Sequence, residues 1–155
     1  MKKTVLLILM AFSAGNLAFA QDITDEITLI QAEFGMGKKQ LVEAVMDLPE
    51  SLAPGFWTIY QQYEGARQLL ARERLLLINQ YLNNYENIDN EIADSLSKGI
   101  MKNSAARNKL HQKYYKKFKK VTSARDAAKF MQLDNYIHST LRNITLQELP
   151  FIDEF

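Results

Sequence analysis

The sequence predicts an all-α fold of about four helices, in which the second and third form a long antiparallel hairpin flanked by an N-terminal and a C-terminal helix. Three observations lead to it. Apolar residues recur at spacings of three and four through most of the chain, the pattern of a helix with one buried stripe. No segment sustains the period-two alternation of a strand. The two longest periodic segments are separated by only a few residues of turn chemistry, which folds one back on the other.

The N-terminus reads as an export signal. Lys2 and Lys3 precede an apolar run from Val5 to Phe12, and Ala18-Phe19-Ala20 supplies a small-residue cleavage motif. The run is too short for a membrane-spanning helix, which needs about 20 apolar residues. Cleavage near Ala20 would send a chain beginning at Gln21 to the periplasm or the medium, with residues 21–155 as one helical domain and no stable membrane insertion. Removing 20 of 155 residues leaves 135, with 17 basic and 18 acidic side chains and a net charge near −1. Such a balance gives no global attraction to a polyanion. Cysteine is absent, which excludes both a disulfide framework and a thiol nucleophile.

In the first mature segment the stripe runs Ile27, Ile30, Phe34, Gly37, Leu41, Ala44, Leu48. Gly35 and Gly37 weaken a helix there by about 1 kcal/mol each. At Gly37 they permit either a close helix approach or a kink. Asp47-Leu48-Pro49-Glu50 resembles a capping box, and Pro54-Gly55 resets the chain before the second helix, which reaches about Tyr85 with Tyr60, Tyr63, Leu70, Leu77 and Tyr81 on one face. About 30 residues make a rod of roughly 45 Å, which needs a long partner. That partner follows a turn at Tyr85 to Asp89. With Asp89 as N-cap, a third helix carries Ile92, Leu96, Ile100, Leu110, Tyr114, Phe118 and Val121 on one side. Ser123-Ala124-Arg125-Asp126 then caps a fourth helix bearing Phe130, Leu133, Ile137, Leu141 and Ile144, and Pro150 ends it.

The stretch HQKYYKKFKK, residues 111 to 120, holds five lysines and three aromatic rings. With Leu110 at the origin of a helical wheel, Val121, Tyr114 and Phe118 fall between about 20° and 80°, and the lysines between about 180° and 340°. Read linearly the two kinds interleave; on the helix they separate into an aromatic core face and a solvated lysine face. Binding of single-stranded nucleic acid would place rings and basic groups together, so no nucleic-acid partner is expected. The lysine face, Lys113, Lys116, Lys117 and Lys120 in particular, suits acidic proteins instead.

Catalytic and metal signatures are missing. His111 and His138 stand about 11 and 16 residues from the turn near Thr122, an axial offset of roughly 8 Å, and are not expected to share an ion. No Gly-x-Ser-x-Gly, His-Glu-x-x-His or phosphate loop occurs. The expectation is a non-enzyme with no metal and no cofactor. FWTIYQQY, residues 56 to 63, is more informative, because Phe56, Trp57, Ile59, Tyr60 and Tyr63 overfill a single stripe. Either Trp57 and Ile59 cover a neighbouring helix while the other three enter the core, or the cluster reaches the surface and holds another protein. The client-binding surface expected on the second basis comprises Phe56, Trp57, Ile59, Tyr60, Tyr63 and Tyr115 with Lys113, Lys116, Lys117 and Lys120.

The export signal, the lack of cysteine, and the stretches MDLPESLAPGFWTIYQQYE, YENIDNEIADSL and QKYYKKFKKVTSARDAAKFMQLDNYI together resemble the exported all-helical proteins related to the Spy and CpxP periplasmic group. The chain looks closest to a branch with a Phe-Trp-x-Ile-Tyr-x-x-Tyr signature and an Ala-x-x-Phe-x-Gln-Leu segment, here Ala127 to Leu133. The group's Leu-Thr-x-x-Gln motif corresponds to Leu48-Pro49-Glu50-Ser51-Leu52 and Ile88-Asp89-Asn90-Glu91-Ile92, where both threonines and both glutamines are replaced. The resemblance implies a curved helical protein, commonly a homodimer, that shields unfolded proteins without ATP or modulates an envelope-stress sensor. Unfolded or acidic client proteins are therefore the expected partners, with a specific membrane sensor as the alternative. A metal-responsive role would require Met36, Met46 or Met101 to converge with a histidine.

Overall fold

The structure, a computed structural model, describes residues 18–153. Lys2, Lys3 and the Val5 to Phe12 run lie outside the described residues. Five α-helices follow one another: α1 (Ala18–Phe34), α2 (Lys38–Met46), α3 (Ala53–Asn84), α4 (Asn90–Val121) and α5 (Ala124–Gln147), with one 3-10 turn, Tyr85–Asn87, between α3 and α4. Among the described residues there is no strand. No described helix is long and apolar enough to cross a membrane.

The all-α class is as the sequence predicts, but among the described residues the helix count is five rather than four, because the expected N-terminal helix divides. Gly35 takes φ +69°, a left-handed conformation that costs a glycine little, and ends α1. Gly37, in extended conformation, then opens α2, its N–H donating to Gln40 Oε1 at 3.1 Å. The weakness at the two glycines is thus a break.

The junction before α3 also differs from expectation. Asp47 does not cap α3; it is the left-handed C-cap of α2, at φ 45°, with its N–H donating to Glu43 O at 3.1 Å. Pro54 lies inside the first turn of α3, where a missing N–H removes no helical bond, so it begins the helix instead of resetting the chain. At the next two starts the expected caps are present. Asp89 accepts the Ile92 N–H at 2.8 Å, and Ser123 Oγ accepts the Asp126 N–H at 3.0 Å.

Helices α3 and α4 make the most extensive helix pair. Phe56 meets Phe118, Tyr63 meets His111, and Asn103 donates to Leu70 O at 2.9 Å, so one index falls as the other rises and the pair is antiparallel. The turn at Thr122 returns α5 along α4, the Phe130 ring tilted against Phe118 with centroids 4.5 Å apart. Helix α2 closes this end: Val42 and Met46 join Phe56, Tyr60, Tyr63, Tyr114, Phe118, Ala127 and Phe130 in the main core. Lys129 of α5 fixes its C-terminus by donating to Met46 O at 3.2 Å. A smaller core, Ile30 with Ile137 and Leu141, holds α1 against α5.

Candidate functional site

The expected client residues are divided by the fold. Phe56 and Tyr63 are fully buried and Tyr60 nearly so, ringed by Phe118, Phe130 and Tyr114; these three supply core, not surface. Trp57, Ile59 and Tyr115 are half-buried against the same cluster, and Lys39 lies over the Trp57 ring at 5.3 Å. Lys113, Lys116 and Lys120 are exposed, while Lys117 is half-buried and donates to Gln62 Oε1 at 3.0 Å. The segregation seen on the wheel is therefore real. Tyr115, however, stands about 160° around α4 from Lys113, so the ring and the lysine do not form one surface.

What does lie beside the lysines is aliphatic. Ala66, Leu69 and Leu70 of α3 and Ala106 and Leu110 of α4 form an open groove edged by Lys109 and Lys113. Leu69 is 64% exposed and Leu76, two turns further along the same face, 60%. Lys102, Lys109, Lys113, Lys116 and Lys120 occupy one line along α4, within about 40° of a common direction.

A second feature lies in the interior. Between α2, α3, α4 and α5 lies a buried polar cluster around Asp134, whose side chain has no exposed surface. Lys38 Nζ donates to Asp134 Oδ1 at 2.9 Å, to Glu64 Oε1 at 2.6 Å and to His138 Nε2 at 2.9 Å. Tyr63 donates its hydroxyl proton to Asp134 Oδ2. Arg67, on the next turn of α3, pairs with Glu64 at 3.1 Å and Glu26 at 2.8 Å, which ties α1 to α3.

The geometry assigns the histidine protons. An ammonium can only donate, so His138 Nε2 accepts from Lys38 and is the bare nitrogen; its 3.3 Å approach to Asp134 Oδ1 is bridged by Lys38. The Tyr63 hydroxyl spends its proton on Asp134, so His111 Nε2, 2.9 Å away, carries a proton and donates to the phenol oxygen. That nitrogen also lies 3.2 Å from Asp134 Oδ2. The two histidines, held apart by the register argument, thus reach one carboxylate from opposite sides. Imidazole reach and the placement of Asp134 one turn before His138 close the offset. Among the described residues, no group of three or more histidine, aspartate or glutamate side chains could hold a metal ion. Met46 lies in the aromatic core, and Met36 and Met101 are exposed.

Charge states follow from these contacts. Burial alone would raise the Asp134 pKa, but the Lys38 ammonium and the His111 N–H outweigh it and hold the carboxyl well below its ordinary range. Glu64 is likewise lowered: Lys38 and Arg67 overcome its burial. Burial, and then Lys38, push His138 down, which keeps it neutral as the hydrogen bonding requires. Burial and the Asp134 charge raise the pKa of the Tyr63 phenol. The cluster thus holds Asp134 and Glu64 as carboxylates beside a neutral His138.

The signal for it was present but subtle. Asp134 lies four residues after Phe130 and three before Ile137, in the middle of the apolar stripe of α5, and Arg67 continues the stripe of Tyr60 and Tyr63. A charge on a core stripe marks a buried ion. Nothing in the local pattern names its partners. No family model, no curated protein and no solved structure matches the chain.

Proposed function

We propose that this chain is an exported helical binding protein of chaperone or envelope-stress-adaptor type, which holds apolar and acidic segments of other proteins without ATP. Periplasmic location after cleavage near Ala20 and kinship with the Spy and CpxP group belong to the same proposal. The observation that carries it is the α3–α4 face, where exposed Leu69 shares a groove with Lys109 and Lys113, and exposed Leu76 continues the same face of α3 two turns on. Exposed aliphatic area offers an unfolded segment a place to leave water, and the lysines select for acidic flanks and accelerate encounter. The client surface proposed is thus Leu69, Leu76, Lys109, Lys113, Lys116 and Lys120. Trp57, Ile59 and Tyr115 stay outside it.

Aggregation assays on several unrelated denatured proteins test this reading. Equimolar chain should suppress aggregation, and L69E with L76E should abolish suppression while leaving the helical signal intact. Replacing Lys109 and Lys113 by glutamate should weaken capture of acidic clients, as should salt above physiological strength, where screening is within about 8 Å. Absence of suppression across all clients would overturn the chaperone reading. Recovery of one protein only from an envelope extract would favour the specific adaptor.

A further inference from the structure

Further along α3 the helices line a half-open cavity of about 400 Å³, with walls from α1, α3, α4 and α5. This falls within the range of roughly 300–1,000 Å³ that small-molecule ligands occupy. Its walls are of two kinds. Leu70, Leu75, Ile78 and Leu141 give it a largely apolar side. Arg74, Arg107 and Arg142, one from each of α3, α4 and α5, bring three guanidinium groups to the same space.

Among the described residues, none pairs these three arginines with a counter-charge. Glu26 also lines the cavity, but Arg67 already holds it at 2.8 Å. Arg74, Arg107 and Arg142 make no ion pair among the described residues. Nη2 of Arg107 is fully buried and has no hydrogen-bond partner, a costly state for a charged donor. Burial, together with the charges of Arg142 and Arg107, pushes the Arg74 guanidinium below its ordinary pKa. Like charges are gathered around an apolar space, with one donor buried and unused.

We propose that this cavity binds an amphiphilic anion, a carboxylate or phosphate head on a single apolar chain. The head would accept from Arg107, Arg74 and Arg142, since guanidinium geometry matches both oxyanions, and the chain would lie along Leu70, Leu75, Ile78 and Leu141. The client residues Leu69 and Leu76 do not line this cavity, although Leu70 borders both it and the outer groove.

Calorimetric titration of the purified chain with four probes tests the site: laurate, a lysophosphatidate of the same chain length, the neutral monolaurin ester and inorganic phosphate. One or both amphiphilic anions should bind with 1:1 stoichiometry, the tighter of the two identifying the head. Monolaurin and inorganic phosphate should each bind about tenfold more weakly or worse, a charge-assisted hydrogen bond being worth at least that. R107Q and R142Q should each weaken the anion about tenfold and leave monolaurin unchanged. Arg142 is exposed, so R142Q carries the test even if R107Q fails to fold. Equal affinity for the neutral ester, binding of inorganic phosphate as tight as that of the lipid, indifference to R142Q, or no binding by either anion would each overturn the proposal.

Discussion

The two ends of the α3–α4 hairpin are built differently. Near the Thr122 turn, α3 buries Phe56, Tyr60, Tyr63 and Arg67, and α4 answers with Tyr114 and Phe118. Over the remaining half of α3, from Gln68 to Asn84, no residue is buried, and α4 contributes only Leu96 and Asn103. The first end is enclosed by α2 and α5 and by a charged cluster; the second exposes Leu76, Leu82 and Met101. Two helices cannot bury each other all round. The aromatic end therefore carries the stability, and the surplus apolar surface lies further along the rods.

Truncation of the core should break that asymmetry most visibly. F130A removes a ring in contact with Phe56, Tyr60, Tyr63 and Phe118, and should cost about 3–5 kcal/mol in denaturant unfolding. L96A, at the open end, should cost about 2 kcal/mol, because its site collapses or floods more easily. Equal losses would show that the ends are energetically alike.

The charged cluster makes the aromatic end sensitive to acid. The folded pKa of His138 lies below its ordinary 6.5, so between those values the unfolded chain binds a proton that the folded chain does not. Stability should therefore fall as pH drops through 6.5, by at most about 1.4 kcal/mol per pH unit. The groups facing His138 are Lys38 of α2, Arg67 of α3 and Asp134 of α5, with His111 of α4 sharing Asp134. A second loss begins below about pH 4.5, where the depressed Glu64 and Asp134 contribute with the same sign. H138Q should flatten the first phase and leave the second, as read by melting temperature from pH 7.5 to 3.5.

Two glycines sharpen the comparison at the smallest scale. A Cβ on Gly65 would meet nothing within 4 Å, so G65A should stabilise α3 by about 0.5–1 kcal/mol through its backbone alone. A Cβ on Gly99 would stand 2.6 Å from Leu77 Cδ2. The leucine end must move, which offsets the helical gain, and G99A should change stability by less than about 1 kcal/mol. A large loss at G99A would show close, rigid packing at the open end of the hairpin.

Much of this architecture is written locally. The apolar spacing, the oxygen side chains of Asp89 and Ser123, and the separation of lysines from rings on one helix depend on neighbours within a turn or two, so the sequence by itself determined the class, the hairpin and the lysine face. Three features needed the folded chain. Gly37 could admit a close helix or kink the chain, and the outcome, a break between α1 and α2, was decided by where those helices pack. Whether Phe56, Tyr60 and Tyr63 faced water depended on α2 and α5 arriving over them. Lys38, Glu64, Asp134 and two histidines meet only because four elements converge, and a charge on an apolar stripe reveals its partner only when another helix places it within hydrogen-bond distance.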